Sequence, residues 1–454
     1  MNTALFWDDQ RVFCRKGMNR IYGKPEFLPD SVYYDPQNSA SGGMPSVVKN
    51  PQGGYTLFYQ AFTPEHKTYA FAAVSQDGVH WSPRNTAKEY LAAPDFSNQL
   101  LPTDNAELAC VYHDLQGPPE ERYKAFVARY RPETLTVEDL VYVSPNGLNW
   151  NLSPASWSDR GAEPGAGCVY SQPLQRHVIL CRSGWGMRRL CIRETPDWKT
   201  FLPSREALQV DSLDPPQTET YGMPVFQYKG WYIGLLWLYH TVEENQTHYM
   251  GGTMDCQLCY SVNGVHWQRS LRTPFIGNDQ NQTKGMVFPA AVHTAENGDI
   301  YITASATPNQ HGYFKEGGGC IVTYRLREDG FICLEAETGG GTLCTRELLL
   351  HSGEISWNLK GEGATVAVFE GTGGPLPHPN QPLEGFSHQD CIPFFGDNTK
   401  WIPTYRGGRT LAELREKPVF LEIQLPKGRI YAYQGDFTPL MNTETMRFLK
   451  FGHL

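Results

Sequence analysis

Carboxylates placed where a strand begins are the residues of this chain best suited to chemistry. Glu219 stands just ahead of Tyr221-Gly222-Met223-Pro224, which reads as a strand start. Asp255 comes shortly after Gly251-Gly252 and opens an otherwise apolar run. An acid at the head of a buried strand is costly unless it is paired or catalytic. Glu163 lies in the tight small-residue turn Gly161-Ala162-Glu163-Pro164-Gly165, and Asp104 and Glu107 precede the apolar run from Leu108. Asp214, ahead of Pro215-Pro216, reads as turn chemistry instead. Carboxyl groups in pairs divide proton transfer between them: one protonates a leaving atom while the other accepts a proton or attacks. Other chemistries lack support. There is no GxGxxG, P-loop or HExxH motif, and no nucleophile elbow for Ser/His/Asp catalysis. Cys256 and Cys259 have CxxC spacing, but i and i+3 on a strand face opposite sides, and no second pair lies nearby. No cofactor or metal is called for.

The elements that must hold these acids are repeated. A signature recurs as AAVSQDGVHW (to Trp81), VYVSPNGLNW (to Trp150) and LCYSVNGVHW (to Trp267). A degenerate copy, CIRETPDWKTF, carries Trp198, and a weaker one is IVTYRLREDGF from Ile321. Each is an alternating strand ending in a turn where Asn or Gly tolerates positive φ, after which a Trp packs the outgoing strand. Before each copy comes a short apolar strand, a turn and an aromatic strand, as in MPSVVKNPQGGYTLFYQ from Met44 and MPVFQYKGWYIGLLWLY from Met223. That makes five antiparallel units, the pattern of a β-propeller. Beyond residue 332 the signature stops, and Gly339-Gly340-Gly341 marks a break. The remainder still reads as strands and suits a β-sandwich. The expected fold is therefore all-β: a five-bladed β-propeller over 1–332 followed by a β-sandwich over 333–454, with Leu411 to Glu416 the only suggestion of a helical turn.

Composition agrees with a packed, aromatic β-protein. Of 454 residues, 40% are hydrophobic, 13% are aromatic, and Gly (44) and Pro (33) supply many turns. A net charge of -9 argues against nucleic acid or an anionic membrane as partner. Asp8 and Asp9 stand where a signal peptide would place its apolar core, and no run approaches the length of a membrane span. A cytoplasmic location is expected on this reading. The 11 cysteines are scattered through strand-like runs, which fits reduced thiols better than a disulfide framework.

A five-bladed propeller followed by a sandwich resembles the glycoside hydrolase family 32 furanosidases (invertases, levanases, inulinases) and their relatives in family 43. GMPSVVKNPQGGYTLFYQ looks like that family's first-blade strand pair, and LEIQLPKGRIYAYQ looks like the closing strands of its sandwich. DGVHW, ERYKAF, TYGMPVFQYKGWYIGLLW and DCQLCYSVNGVHW look like a divergent bacterial group of family 32-like propellers. One departure matters. Met44 stands where the family carries its blade 1 nucleophilic Asp, while Asn105-Ala106-Glu107 and Ala162-Glu163-Pro164 are the nearest matches to its other two acidic motifs.

The resemblance implies that acids at the blade starts point into one funnel, where a carboxyl pair cleaves a glycosidic bond. Glu163 or Glu219 is then expected as the acid, and Asp255 or Asp104 as nucleophile or base, with Glu107 a further candidate. Loops inside the blades add sugar-binding residue types: His66; Arg129 and Arg131; Arg182, Trp185 and Arg188; Tyr239, His240 and His248; and His311. The expected function is an exo-acting glycoside hydrolase on short oligosaccharides or glycosides. Its partner is a small carbohydrate, and a homo-oligomer is left open. Two rivals remain: a non-catalytic carbohydrate-binding propeller, favoured by the missing blade 1 Asp, and a phosphorylase resembling family 130, with Arg182, Arg188 and Arg189 around phosphate.

Overall fold

The computed structural model describes residues 2–36, 44–63, 67–102, 106–131, 136–154, 162–183, 188–241, 251–313, 317–374 and 381–454. The chain divides into two compact units: Pro25–Arg327, and Met1–Lys24 together with Glu328–Leu454. Both are built of β-strands. Among the described residues no helix is long and apolar enough to cross a membrane.

Pro25–Arg327 consists of antiparallel meanders. The first three are four-stranded sheets that begin with Ser46–Lys49, Ala106–His113 and Ala162–Ser171. An eight-stranded sheet contains the other two, joined by a single parallel bridge between Met254 and Met286. In the fourth meander the first strand is broken into Thr218–Gly222 and Val225–Tyr228, followed by Trp231–Thr241 and Gly252–Ser261. The fifth runs Met286–Thr294, Ile300–Thr307 and Cys320–Leu326, and is completed by Glu26–Tyr33 from ahead of the first meander. The first strands of the first four meanders neighbour one another in chain order, and that of the fifth, Met286–Thr294, lies against Ser46–Lys49 and against the later strands of the fourth. All five line one cavity of about 420 Å³, through Val47, Val111, Val169, Val225 and Ala291 among others.

Apolar faces hold the meanders together. Phe58 packs with Leu101, Leu108 and Val127 between the first two, and Val178, Leu180 and Ile192 pack with Leu236 and Leu238 between the third and fourth. The recurrent turns are stapled as their residue types require. Ser75 Oγ accepts the N–H of Gly78 at 2.9 Å, while Asp77 Oδ1 accepts those of Val79 and His80 at 2.8 and 2.9 Å. Ser144 with Asn146, and Ser261 with Asn263, repeat the arrangement. Gly78, Gly147 and Gly264 hold φ of 78°, 73° and 76°, where a side chain is disfavoured. The degenerate copy corrects the alignment of its tryptophan. Trp198 takes the glycine position, at φ 62°, and Phe201 falls where the other copies have Trp. A left-handed Trp is costly. Its Nε1 donates to Asp114 at 2.9 Å, and the Lys124 ammonium lies 4.8 Å from its ring, which offsets that cost.

The second unit differs from the expected 333–454 boundary because the chain's beginning belongs to it. Asn2–Leu5 pairs with Lys427–Gly435, Val12–Lys16 with Gly341–Thr345, and Met18–Tyr22 with Ile332–Ala336. The reason is apolar: Leu5, Phe6, Trp7, Val12 and Met18 are buried there. The long strand Ser356–Glu370 pairs with Lys427–Gly435 through one half and with Pro418–Leu425 through the other. Leu411–Leu414 is a short helical turn, and Asn442–Phe451 is a helix that sequence reading missed.

Candidate functional site

The start of the fourth meander gathers the largest number of the expected residues. Glu219 sits on Thr218–Gly222, directly opposite Tyr239 on the next strand. Its Oε2 accepts from Arg188 Nη1 at 3.2 Å, with both side chains about five-sixths buried at 16% and 15% exposure. The Arg188 guanidinium lies 5.2 Å from the Tyr221 ring and 5.1 Å from the Tyr239 ring. Arg182, from the third meander, lies over the Tyr221 ring at 4.2 Å. Partly desolvated cation–π contacts of this kind contribute roughly 0.5 to 2 kcal/mol each. His311 closes the cluster: the Tyr221 hydroxyl and His311 Nε2 are 3.0 Å apart, and its ring lies 5.0 Å from that of Tyr239. The Tyr239 hydroxyl donates to the Gly251 carbonyl at 2.9 Å, and burial pushes that phenol up to about 12.

Asp255 belongs to a separate line of groups. His240 Nε2 meets Asp255 Oδ2 at 2.9 Å, and His240 Nδ1 meets Thr218 Oγ1 at 3.2 Å. The Asp255 hydrogen bond raises the imidazole pKa above its usual value, against the opposing effect of burial. Asp255 is only 8% exposed, and its Oδ1 is buried without a hydrogen-bond partner among the described residues. An unsatisfied buried carboxylate oxygen costs about 1 to 3 kcal/mol or more.

Strand register decides how the two acids relate. Glu219 pairs with Tyr239, which pairs with Met254, while Thr220 pairs with Leu238, which pairs with Asp255. Residues directly opposite share a face, and successive residues alternate. Glu219 and Asp255 therefore project from opposite faces of one meander. Glu219 shares its face with Tyr239, and Asp255 shares its face with Thr218 and His240. An acid–base pair made of these two does not share one face.

The other expected residues are dispersed. Glu163 sits directly across from Arg182 in the register of the third meander; its side chain is outside the described residues. Glu107 is exposed on the second meander, opposite Ala128. Arg129 pairs in register with Glu138, and Arg131 ends the same strand. Asp104, His66, Trp185 and His248 lie outside the described residues. Met44 packs against the apolar cluster of Cys110, Phe126 and Cys168, so that position carries no acid. Asp214 is structural, held by Arg269 through contacts of 2.6 and 2.7 Å. Sequence reading missed Tyr221 and Thr218. The signal for Tyr221 was an aromatic residue two positions after an acid on a strand.

Chemically, the Glu219 face offers a carboxylate, two guanidinium groups, an imidazole and two aromatic faces. That set can accept from hydroxyl groups, donate to oxygens and stack on an apolar ring face. No protein-family model matches the sequence, and no curated protein matches it. Among solved structures, the chain is similar to a glycoside hydrolase at a TM-score of 0.46 and 11% identity, covering 68% of this chain and 92% of that one. It is similar to a structure titled for the glycoside hydrolase family 130 of mannoside phosphorylases, containing hydrolases that target beta-1,2 mannosidic linkages in Candida mannan (TM-score 0.45, 12% identity, 68% and 94% covered). It is also similar to a thermostable family-43 glycoside hydrolase (TM-score 0.44, 14% identity, 66% and 95% covered).

Proposed function

We propose that this chain is a glycoside hydrolase, exo-acting on short oligosaccharides or glycosides, built on a five-bladed β-propeller with an accompanying β-sandwich. The five first strands lining one cavity support the propeller. The observation that carries the function is the Glu219 cluster, where Arg188 pairs with the carboxylate and packs on Tyr221 and Tyr239, and Arg182 and His311 meet the same Tyr221. Tyrosine faces stack on a sugar ring, and guanidinium and imidazole groups bond its hydroxyls. In this reading Glu219 and Glu163 are the carboxyl pair, since Glu163 lies across from Arg182 and Arg182 reaches the same tyrosine as Arg188. Asp255 holds His240 on the opposite face and acts as a positioning residue.

A second reading rests on the same arginines. Two guanidinium groups over one tyrosine, beside a single carboxylate, suit an oxyanion such as phosphate. Phosphorolysis needs one carboxyl group, with phosphate as the nucleophile.

The test is sugar release from fructosides, arabinosides, galactosides and short oligosaccharides, with and without inorganic phosphate. Wild type is compared with Glu163→Gln, Glu219→Gln and Asp255→Asn. A hydrolase with the proposed pair loses about 10²- to 10⁴-fold in the two glutamine variants, the usual scale of general acid–base catalysis. Turnover that appears only with phosphate moves the assignment to a phosphorylase. Sugar binding without release from any substrate overturns catalysis altogether.

A further inference from the structure

We propose that Cys14 and Cys344 form a reversible cross-strand disulfide, a redox modification site independent of the glycoside site. Both lie in the unit made of Met1–Lys24 and Glu328–Leu454. Val12–Lys16 pairs antiparallel with Gly341–Thr345, and Cys14 stands directly opposite Cys344. Residues directly opposite on an antiparallel pair project from the same face, so the register sets the two thiols side by side. Cys14 is exposed, while Cys344 is buried behind it, so one thiol meets solvent and the other waits as the resolving partner.

The geometry allows closure with small movement. Directly opposite residues keep their Cβ atoms about 4.5 to 5.5 Å apart. A disulfide needs about 3.5 to 4.5 Å. The strand must therefore approach by roughly an ångström. A bulge between Val12 and Cys14, one residue from the site, gives the strand room to shift. A bond closed against a sheet is strained, and strained disulfides are the readily reduced ones.

The oxidant is a small-molecule disulfide such as glutathione disulfide. The Cys14 thiolate attacks it, breaking the S–S bond, forming a mixed disulfide and releasing one glutathione thiolate, which takes up the proton Cys14 gave. The Cys344 thiolate then attacks the Cys14 sulfur and releases the second glutathione. Two protein thiols are oxidised, and one glutathione disulfide is reduced to two thiols. Burial, with the nearby Glu422 charge, raises both thiol pKa values, so the exchange speeds up as pH rises.

Another opposed pair sharpens the test. Cys181 stands across from Cys191 in the third meander, but neither is exposed. The full chain is treated with glutathione disulfide at mildly alkaline pH and mapped by non-reducing peptide mass analysis. The expected product has lost two hydrogens, links the Cys14 and Cys344 peptides, and reverts with dithiothreitol. Its unfolding midpoint rises above that of the reduced protein, and Cys14→Ser abolishes both effects. Cys344→Ser stops at a glutathione adduct on Cys14. Cys14→Ser is an exposed change and keeps the test readable should Cys344→Ser not fold. A lasting glutathione adduct on wild-type Cys14, an unreacted Cys14, or a link mapped to Cys181 and Cys191 overturns the proposal.

Discussion

Removing the carboxylate of Asp114 tests whether a buried charge cluster joins the second and third meanders. Asp114 is fully buried and Lys124 is 1% exposed, with Nζ and Oδ2 2.9 Å apart. Asp114 also accepts from Trp198 Nε1 at 2.9 Å and from the backbone N–H groups of Gln116 and Gly117 at 3.0 Å each. Burial pushes its carboxyl pKa up, but the Lys124 hydrogen bond, the neighbouring His177 and Lys124 charges and the Gln116 N–H outweigh that and hold it low. Asp114→Asn leaves the ammonium with the Glu121 carbonyl at 2.8 Å, the half-exposed Glu121 carboxylate at 4.0 Å and the Trp198 ring. Stranding a buried charge costs about 3 to 5 kcal/mol. Lys124→Met instead leaves Asp114 with three donors, so its expected cost is smaller, about 1 to 3 kcal/mol. The double variant no longer holds a stranded charge, so it is expected to recover at least about 1 kcal/mol of the summed single losses. Urea unfolding of the four proteins, followed by tryptophan fluorescence because Trp198 lies on the cluster, reads each term. Additive losses, or an Asp114→Asn cost below about 1 kcal/mol, would refute the reasoning.

Further outcomes follow from single sites. Burial pushes the His177 imidazole down to about 4, against the pull of Asp114. Its stabilising effect is complete above the ordinary value of 6.5 and is lost as pH falls toward 4, a total of about 3 kcal/mol. Acid unfolding of His177→Gln is therefore less steep across that window. Gly78→Ala places a Cβ at φ 78° and 2.4 Å from His293 Nε2, whereas Gly147→Ala at φ 73° comes no nearer than 3.1 Å, to Phe58 Cζ, with the Tyr123 ring at 3.7 Å. Thermal unfolding is expected to show the first costing about 2 kcal/mol or more and the second about 1; equal losses would remove the His293 contact from the account. Asp255→Asn removes the negative charge from the hydrogen bond that raises His240, so the imidazole titrates at lower pH, read by NMR. In wild type the His240 contribution is present below 6.5 and lost as pH rises through the raised value, and the variant lacks that loss.

The repeat made the five meanders legible, because the turn that ends each third strand needs a side-chain acceptor and a residue that tolerates positive φ. Ser75-Asp77-Gly78 and Ser261-Asn263-Gly264 carry those types openly. The degenerate copy misled for the same reason: Trp198 resembles the packing tryptophan but occupies the glycine position, with Phe201 in the packing role. The division into units was less legible at the beginning of the chain. Phe6 and Trp7 are apolar wherever they go, and only pairing of Asn2–Leu5 with Lys427–Gly435 assigns them to the far end of the chain. Such a pairing spans nearly the whole sequence and leaves no local pattern.

Residue type found the acids of the fourth meander, but face decided their relation. Glu219 and Asp255 were both readable as strand-leading carboxylates, and each has a basic partner, Glu219 mostly buried and Asp255 buried. Side chains alternate with a period of two, so a shift of one residue moves a group to the other side of the sheet. The first strand carries a bulge between Thr220 and Gly222, and Tyr221 occupies it. That extra residue brings the Tyr221 hydroxyl to His311 and its ring beneath Arg182. The same irregularity therefore both builds the arginine–tyrosine cluster and hides it from a reading by alternation. A bulge of this kind next to a functional site re-aims a side chain, and deleting Tyr221 would restore a regular strand while dismantling the cluster around Glu219.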